Sequence, residues 1–385
     1  MRPMSSPTGR IIGLDVARAV AIIGMIVAHI YPAEWHSSGD AGVRSWVAEL
    51  SSGYPSTLFA VLVGCSTVLM LPTAGRLQLL VRGALLGVAG VALDTVQSHI
   101  AVVLVPLGVS MVVLSLVLAW RPRYQVLLGV VLLLGNQLVT AVVFAGAMFG
   151  AVNAYPVPVW VVYGLVGSWY IRTRTSRWWW VAVPAAAVCL AARPWLQQWG
   201  VAWPHSGTPD DVLLTATVAV GVIVCCEQLG RAAVRWRAAG VSLLPVQRMG
   251  QMALTVYVVH VLVTGIGLGI LDDRAAVSPP EPAVVESTVD EETILRELQD
   301  AAARATSVQE VLDAAYRADD ELLGRPVPGW DSVPEPEEFP AWMLPGQILV
   351  FLTFATVWLA HHRRGPLEEL LARAQRRGAE ILLAA

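Results

Sequence analysis

Ten stretches of the chain are apolar and long enough, or nearly so, to cross a bilayer: about 11–33, 56–73, 79–97, 99–120, 124–145, 155–171, 178–198, 211–229, 249–271 and 341–361. A helix rises about 1.5 Å per residue, so roughly 20 apolar residues match a hydrocarbon core of about 30 Å. In such a solvent the backbone must satisfy its own hydrogen bonds, and a helix does so within one segment. The pattern therefore predicts an all-α fold: a polytopic membrane helical bundle of about ten transmembrane helices. Between the ninth and tenth stretches the apolar pattern gives way to a long polar segment.

The first stretch is not uniformly apolar, because it carries Asp15, Arg18 and His29. At about 100° per residue, the eleven-residue step from Arg18 to His29 returns to nearly the same helix face, roughly 16 Å further along the axis. Asp15 and Arg18, three apart, are neighbours on that face. An ionisable side chain at mid-bilayer costs about 2.5–3.5 kcal/mol on insertion scales, so this stripe is expected to face a protein interior or a wet cavity.

Charge then orients the bundle. All 26 basic residues are arginine, and eighteen of them fall in alternate connections or at the termini. Arg2 and Arg10 precede the first stretch, Arg76 and Arg82 flank the second-to-third connection, and Arg121 and Arg123 the fourth-to-fifth. Arg172, Arg174 and Arg177 follow the sixth, Arg231, Arg235, Arg237 and Arg248 lie before the ninth, and Arg363, Arg364, Arg373, Arg376 and Arg377 close the chain. By the positive-inside rule both termini are cytoplasmic, in a multi-pass protein of the cell (plasma) membrane, with 34–55, 146–154, 199–210 and 272–340 on the far side. The first stretch is longer than a signal-peptide core and charged, so it is expected to stay in the mature protein.

Composition agrees with the pattern: 56% hydrophobic, 14% charged, mean hydropathy +0.60. Cys65, Cys189, Cys225 and Cys226 all fall within apolar stretches, so no disulfide framework is expected outside the membrane. Residues 272–340 hold eighteen Asp or Glu against five Arg, a net charge of −13. Proline-rich flanks bracket two capping-box signals, Thr288 to Glu291 and Ser307 to Glu310. The chain thus divides into a transmembrane domain at 1–271, an acidic extracytoplasmic insertion at 272–340 that reads as a helical hairpin, and a last span with a basic tail at 341–385. The insertion reads as a solvated segment or as a lid or partner-binding module.

Familiar catalytic signatures do not occur. There is no Walker A loop, no C-x-x-C, no H-E-x-x-H and no G-x-S-x-G, and no metal is predicted. Gly265, Gly267 and Gly269 lie inside an apolar stretch and read as close helix packing, as do Gly83, Gly87 and Gly90. Trp178, Trp179 and Trp180 beside Arg177 read as an interfacial belt.

Several runs resemble a known group. The opening Arg10-Ile11-Ile12-Gly13-Leu14-Asp15-Val16-Ala17-Arg18, continuing through Gly24 to His29, resembles bacterial proteins of the domain of unknown function 418. That group is related to the heparan-alpha-glucosaminide N-acetyltransferase catalytic domain and, more distantly, to acyltransferase family 3. Leu58-Phe59-Ala60-Val61-Leu62-Val63-Gly64-Cys65-Ser66, Arg248-Met249-Gly250-Gln251-Met252-Ala253-Leu254-Thr255-Val256-Tyr257 and Arg363-Arg364-Gly365-Pro366-Leu367-Glu368 carry the resemblance along the chain. It implies a transmembrane acyl-CoA-dependent acyltransferase that moves an acyl group, usually acetyl, from cytoplasmic acyl-CoA (acetyl-CoA) to an acceptor outside, often a sugar or envelope glycan. Arg18 and His29 match the eleven-residue spacing of the key pair in acyltransferase family 3. In the heparan-type enzymes the acetyl-carrying histidine follows the first span, where His36 is the positional counterpart, so the reactive histidine is His29 or His36.

The residues support the same chemistry directly. Acyl transfer needs a base or nucleophile near neutral pKa, and imidazole supplies one. Arg18 is expected to steady the donor or a developing oxyanion, with Asp15 orienting it. Arg76 and Arg82 are the candidates for the donor's phosphates, or serve only as positive-inside anchors. On the outer half Asp94, His99, Tyr257 and His260 are candidates for the acceptor side, unless His260 is a core histidine bonded to a neighbouring helix and His99 a loop residue without function. Implied partners are the lipid bilayer and an extracytoplasmic small-molecule or glycan acceptor, not nucleic acid, with a homo-oligomer left open. The alternative reading is a proton-coupled transporter or exporter, which intramembrane Asp, Arg and His would also suit.

Overall fold

Each of the ten apolar stretches contains a helix in the computed structural model, which describes residues 10–30, 51–96, 100–145, 156–199, 201, 205–277 and 342–384. In chain order these are α1 (Ile12–Ile30), α2 (Tyr54–Val96), α3 (Leu104–Val117), α4 (Pro122–Ala145), α5 (Val157–Thr173) and, after a 3-10 turn at Arg177–Val181, α6 (Ala182–Gln197). There follow α7 (Pro209–Arg235), α8 (Arg237–Gln251), α9 (Ala253–Val277), α10 (Met343–His361) and α11 (Pro366–Ala384). No strand occurs among the described residues, and the protein is an all-α polytopic membrane bundle. Seven helical segments there are long and apolar enough to cross a membrane, and α3, at 14 residues, is a shorter apolar helix. The acidic hairpin expected within 272–340 lies outside the described residues beyond Val277, where α9 ends.

The second and third apolar stretches are joined in α2, which breaks at Gly75 (φ 72°, ψ 168°). That left-handed backbone penalises any residue with a Cβ, so the glycine separates two arms, 54–74 and 76–96. Each arm packs through glycines. Where arm 54–74 crosses α5, a Cβ on Gly64 would collide with the Gly164 carbonyl, and one on Gly167 with the Val61 carbonyl. Where arm 76–96 crosses α3, a Cβ on Gly83 would stand 2.7 Å from the Gly108 carbonyl oxygen, and one on Gly108 2.6 Å from the Gly87 nitrogen. Without a hydrophobic drive between helices in lipid, close backbone approach supplies the dispersion contacts that hold them together.

α1 sits at the centre. Ala17, Ala19, Ala21, Ile22 and Ile26 are all fully buried. Its N-terminal half meets α7 through Gly13 and Gly230, and α8 through Gly250, whose missing side chain admits the Asp15 carbonyl. α4 lies at the periphery and exposes Val126, Leu127, Leu134 and Leu138, as a lipid-facing helix should. The arginine-rich connection before the ninth stretch forms α8, which ends at Gln251. Met252 breaks the chain before α9, so the ninth span starts at Ala253 and not at 249.

Gly167→Ala is expected to force α2 and α5 apart and to destabilise the protein by about 1–3 kcal/mol. Gly135→Ala on α4, where a Cβ meets open space, should be neutral or slightly stabilising. Thermal melting of the two variants in the same detergent checks the contrast.

Candidate active site

The stripe on α1 builds two polar centres, one at each end of the helix. At the first, Asp15 has no exposed surface. Arg10 approaches its carboxylate in fork geometry, Nε to Oδ2 at 2.7 Å and Nη2 to Oδ1 at 3.3 Å, and Arg18 Nη1 donates to Oδ1 at 2.6 Å. Gln251 Nε2 adds a fourth donor at 3.4 Å. Two guanidiniums on one carboxylate leave an excess positive charge, and both are partly exposed while the carboxylate is not. Charge-assisted bonds of this kind hold a donor fork rigidly. The other branch of Arg18 is fixed too, because Nη2 donates to Ser66 Oγ at 2.8 Å, and Ser66 Oγ donates to the Leu62 carbonyl at 2.7 Å.

Arg82 belongs to the same end of the bundle. Its charge interacts with Arg18, Arg364 and Glu368, and its Nη1 donates to Gln375 Oε1 of α11 at 3.3 Å. Gln375 is buried and in turn donates to Gln78. The tail also governs α9. Glu368 accepts from Leu254 N at 2.7 Å, Thr255 N at 3.1 Å and Thr255 Oγ1 at 2.6 Å, so a carboxylate brought from α11 caps the start of α9. Arg76, by contrast, is exposed.

The second centre lies near the other end of α1. His29 and His260 stack with ring centroids 5.4 Å apart and an interplanar angle of 10°, and His29 Nδ1 stands 3.3 Å from His260 Nε2. His260 is fully buried, whereas His29 is half-buried. Tyr257 packs edge-on against His260 at 5.3 Å, and its hydroxyl accepts from the Val103 N–H at 3.0 Å, which ties α9 to the start of α3. The structure thus brings Asp15, Arg18 and Arg82 to one end, and His29, Tyr257 and His260 to the other. Asp94 is exposed on α2, and His36 and His99 lie outside the described residues.

Sequence reasoning does not single out Ser66, Gln251 or Glu368, although each stands in a run that carries the family resemblance; only their partners across the fold reveal their roles. It misses Arg193 and Asp211 as well. Both are ionisable residues at the edge of an apolar stretch, the same signal that marks Asp15 and Arg18. They form a third buried polar centre, with Arg193 Nη2 3.6 Å from Asp211 Oδ1.

Asp15→Asn would remove the charge that two arginines share inside the bundle, and a loss of about 3–5 kcal/mol is expected. Glu368→Gln, which keeps an acceptor at the cap, should cost about 1–2 kcal/mol. Melting temperatures of the purified variants should fall in that order.

No curated protein and no solved structure matches the chain. Residues 10–166 match the family described as heparan-alpha-glucosaminide N-acetyltransferase, catalytic, and that stretch contains Arg10, Asp15, Arg18, His29, Ser66 and Arg82. The stretch that supplies Arg10, Asp15, Arg18 and His29 is therefore similar to an acetyltransferase catalytic domain.

Proposed function

We propose that the protein is a membrane-bound acyltransferase that moves an acyl group, in the first instance acetyl, from cytoplasmic acyl-CoA to an extracytoplasmic acceptor such as a sugar or envelope glycan. The observation that carries this reading is a clamped arginine at one end of α1 and a paired histidine at the other, both within the stretch similar to the acetyltransferase domain. On the arginine topology, the Asp15 end is cytoplasmic and the His29 end faces out.

The separation divides the labour. Arg18 and His29 are about 16 Å apart along the axis, so the two do not touch one carbonyl. Arg18 and Arg82, with their surplus positive charge, hold the anionic part of the donor, and the thioester reaches along α1 toward His29. Ser66 and Asp15 keep the Arg18 fork in one orientation, which limits the entropy lost on binding.

At the outer centre one hydrogen lies between the facing nitrogens of His29 and His260. When His29 Nδ1 donates to His260 Nε2, the Nε2 lone pair of His29 is left for the reaction. That nitrogen takes the acceptor's proton as the acceptor oxygen or nitrogen attacks the thioester carbonyl. The new C–O or C–N bond forms, the C–S bond breaks, and the proton passes to the departing thiolate. His260 orients His29 and stabilises its imidazolium, and Tyr257 fixes His260 through its edge contact.

Transfer of labelled acetyl from acetyl-CoA to membrane acceptors in vesicles tests the reading. His29→Ala is expected to lose about 10²–10⁴-fold in rate with insertion and melting temperature preserved, and Arg18→Ala to abolish transfer. Full activity in either variant would contradict the proposal.

A further inference from the structure

The start of α4 carries charge that the fold does not use. Arg121 and Arg123 are exposed there, and the sequence holds no Asp or Glu between Asp94 and Asp210, an interval that covers all of α3, α4 and α5. Asp94 itself belongs to the part of α2 that packs at the start of α3, where Gly90 meets Val105, and the far end of α3 is roughly 20 Å away. No carboxylate pairs with either arginine among the described residues. The carbonyls at the end of α3 do not need them either. Gln125 Nε2 donates to the Val117, Leu118 and Trp120 carbonyls at 3.2, 3.3 and 3.1 Å, and Arg172 Nη2 donates to the Leu118 carbonyl at 2.7 Å. The negative end of α3 is thereby satisfied from within the bundle. Two cations are left facing outward.

From these cations a groove of about 590 Å³ runs along the outside of the bundle, lined by Trp120, Arg121, Tyr124, Leu127, Leu128 and Val131. The last four are spaced i, i+3, i+4 and i+7, so they share one face of α4. Leu128 packs on the core cluster that holds Leu118 and Leu165 and forms the floor, while Leu127, Val131 and the two aromatic rings are exposed. Arg123 is already ordered at the rim, with Cζ 4.8 Å from the Tyr124 ring centroid and Nη2 donating to Tyr124 Oη at 3.1 Å.

The chemistry of the groove is ordered along the helix axis: guanidinium first, indole and phenol next, aliphatic side chains after them. From Arg121 to Val131 is about 15 Å, half of a hydrocarbon core of about 30 Å. Trp and Tyr settle at headgroup level, so the groove begins at the interface and ends near the midplane. One phospholipid of one leaflet has that length and that order of groups. A water-soluble anion would leave the apolar length uncovered, and a zwitterionic headgroup would bring an ammonium against the arginines. A second copy related by a two-fold axis along the membrane normal would set the same arginines against each other.

We infer that this groove binds one acidic phospholipid from the leaflet at the Arg121 end, with its phosphate against Arg121 and Arg123 and an acyl chain over Leu127 and Val131. On the arginine topology that leaflet is the cytoplasmic one. The lipid supplies the counter-charge that α3, α4 and α5 lack. The inference does not need the acyltransferase reading.

The test uses the full chain in phosphatidylcholine nanodiscs that contain a trace of phosphatidylglycerol with a photoactivatable acyl chain, followed by mapping of the labelled peptides. Labelling should concentrate on residues 120–131, above the level on Leu349 and Val350, exposed residues of α10 that report ordinary bilayer contact. Unlabelled phosphatidylglycerol should compete about fivefold or more better than phosphatidylcholine with the same chains. The double variant Arg121→Gln, Arg123→Gln should bring labelling of 120–131 down to the α10 level, whereas Arg235→Gln, at an exposed arginine of α7, should leave it unchanged. Leu127→Trp, which fills the groove and keeps both arginines, should also lower it. Labelling no higher than on α10, equal competition by the two lipids, or full labelling in the double variant would overturn the inference. Efficient Leu127→Cys cross-linking between copies would overturn it too, by giving the face to a second chain.

Discussion

A carboxylate with no exposed surface, packed between apolar helices, needs partners on its oxygens, and the arrangement around Asp15 supplies them. Arg10 and Arg18 come from its own segment, but Gln251 must be delivered by α8. Delivery requires α8 to approach α1 until backbones touch, which Gly250 permits, and α7 must approach from another side, which Gly13 and Gly230 permit. Arg18 then has a second branch to satisfy, and Ser66 on α2 meets it. The runs that carry the family resemblance are thus neighbours in space because one buried charge draws three of them together, and the fourth, through Glu368, caps the helix that bears His260.

The bundle also sets two polar centres at opposite ends of one helix. α1 is packed on nearly every side, so its polar residues are presented only where neighbouring helices leave room. Near one end that room is filled by guanidinium groups with charge to spare; near the other it holds two stacked imidazoles. The first suits an anionic donor and the second suits proton transfer in a poorly solvated place. The tail helix α11 couples the two, since Gln375 holds Arg82 while Glu368 holds the start of α9.

Much of this is legible in the sequence, and the remainder is hidden for physical reasons. Helical class comes from apolar run length, and the Asp15–Arg18 contact from a three-residue spacing, because both are local. His29 and His260 are 231 positions apart, and Arg18 and Ser66 are 48 apart, so periodicity has nothing to say about their pairing. Apolar patterning starts the ninth span at 249 because Met249, Met252 and Ala253 are as apolar as the residues after them; the break at Met252 depends on a cap brought from Glu368. The sequence of α11 reads only as a basic tail, since its buried face, Leu371, Ala372, Gln375 and Ala379, is small and interleaved with arginines. Arg193 and Asp211 sit at the margins of their stretches, where charge is ordinary, and only burial shows that they differ from anchoring residues.

The central claim is that the Asp15-clamped Arg18 holds the anionic donor. It is tested most directly by calorimetric titration of acetyl-CoA into the purified protein in nanodiscs, comparing wild type with Arg18→Ala. Saturable binding in wild type that is lost in the variant, compared at a temperature where both are folded, is the predicted result. Equal binding by both proteins would contradict it, and no binding by well-folded wild type would contradict it and favour the transport reading of the same polar helix.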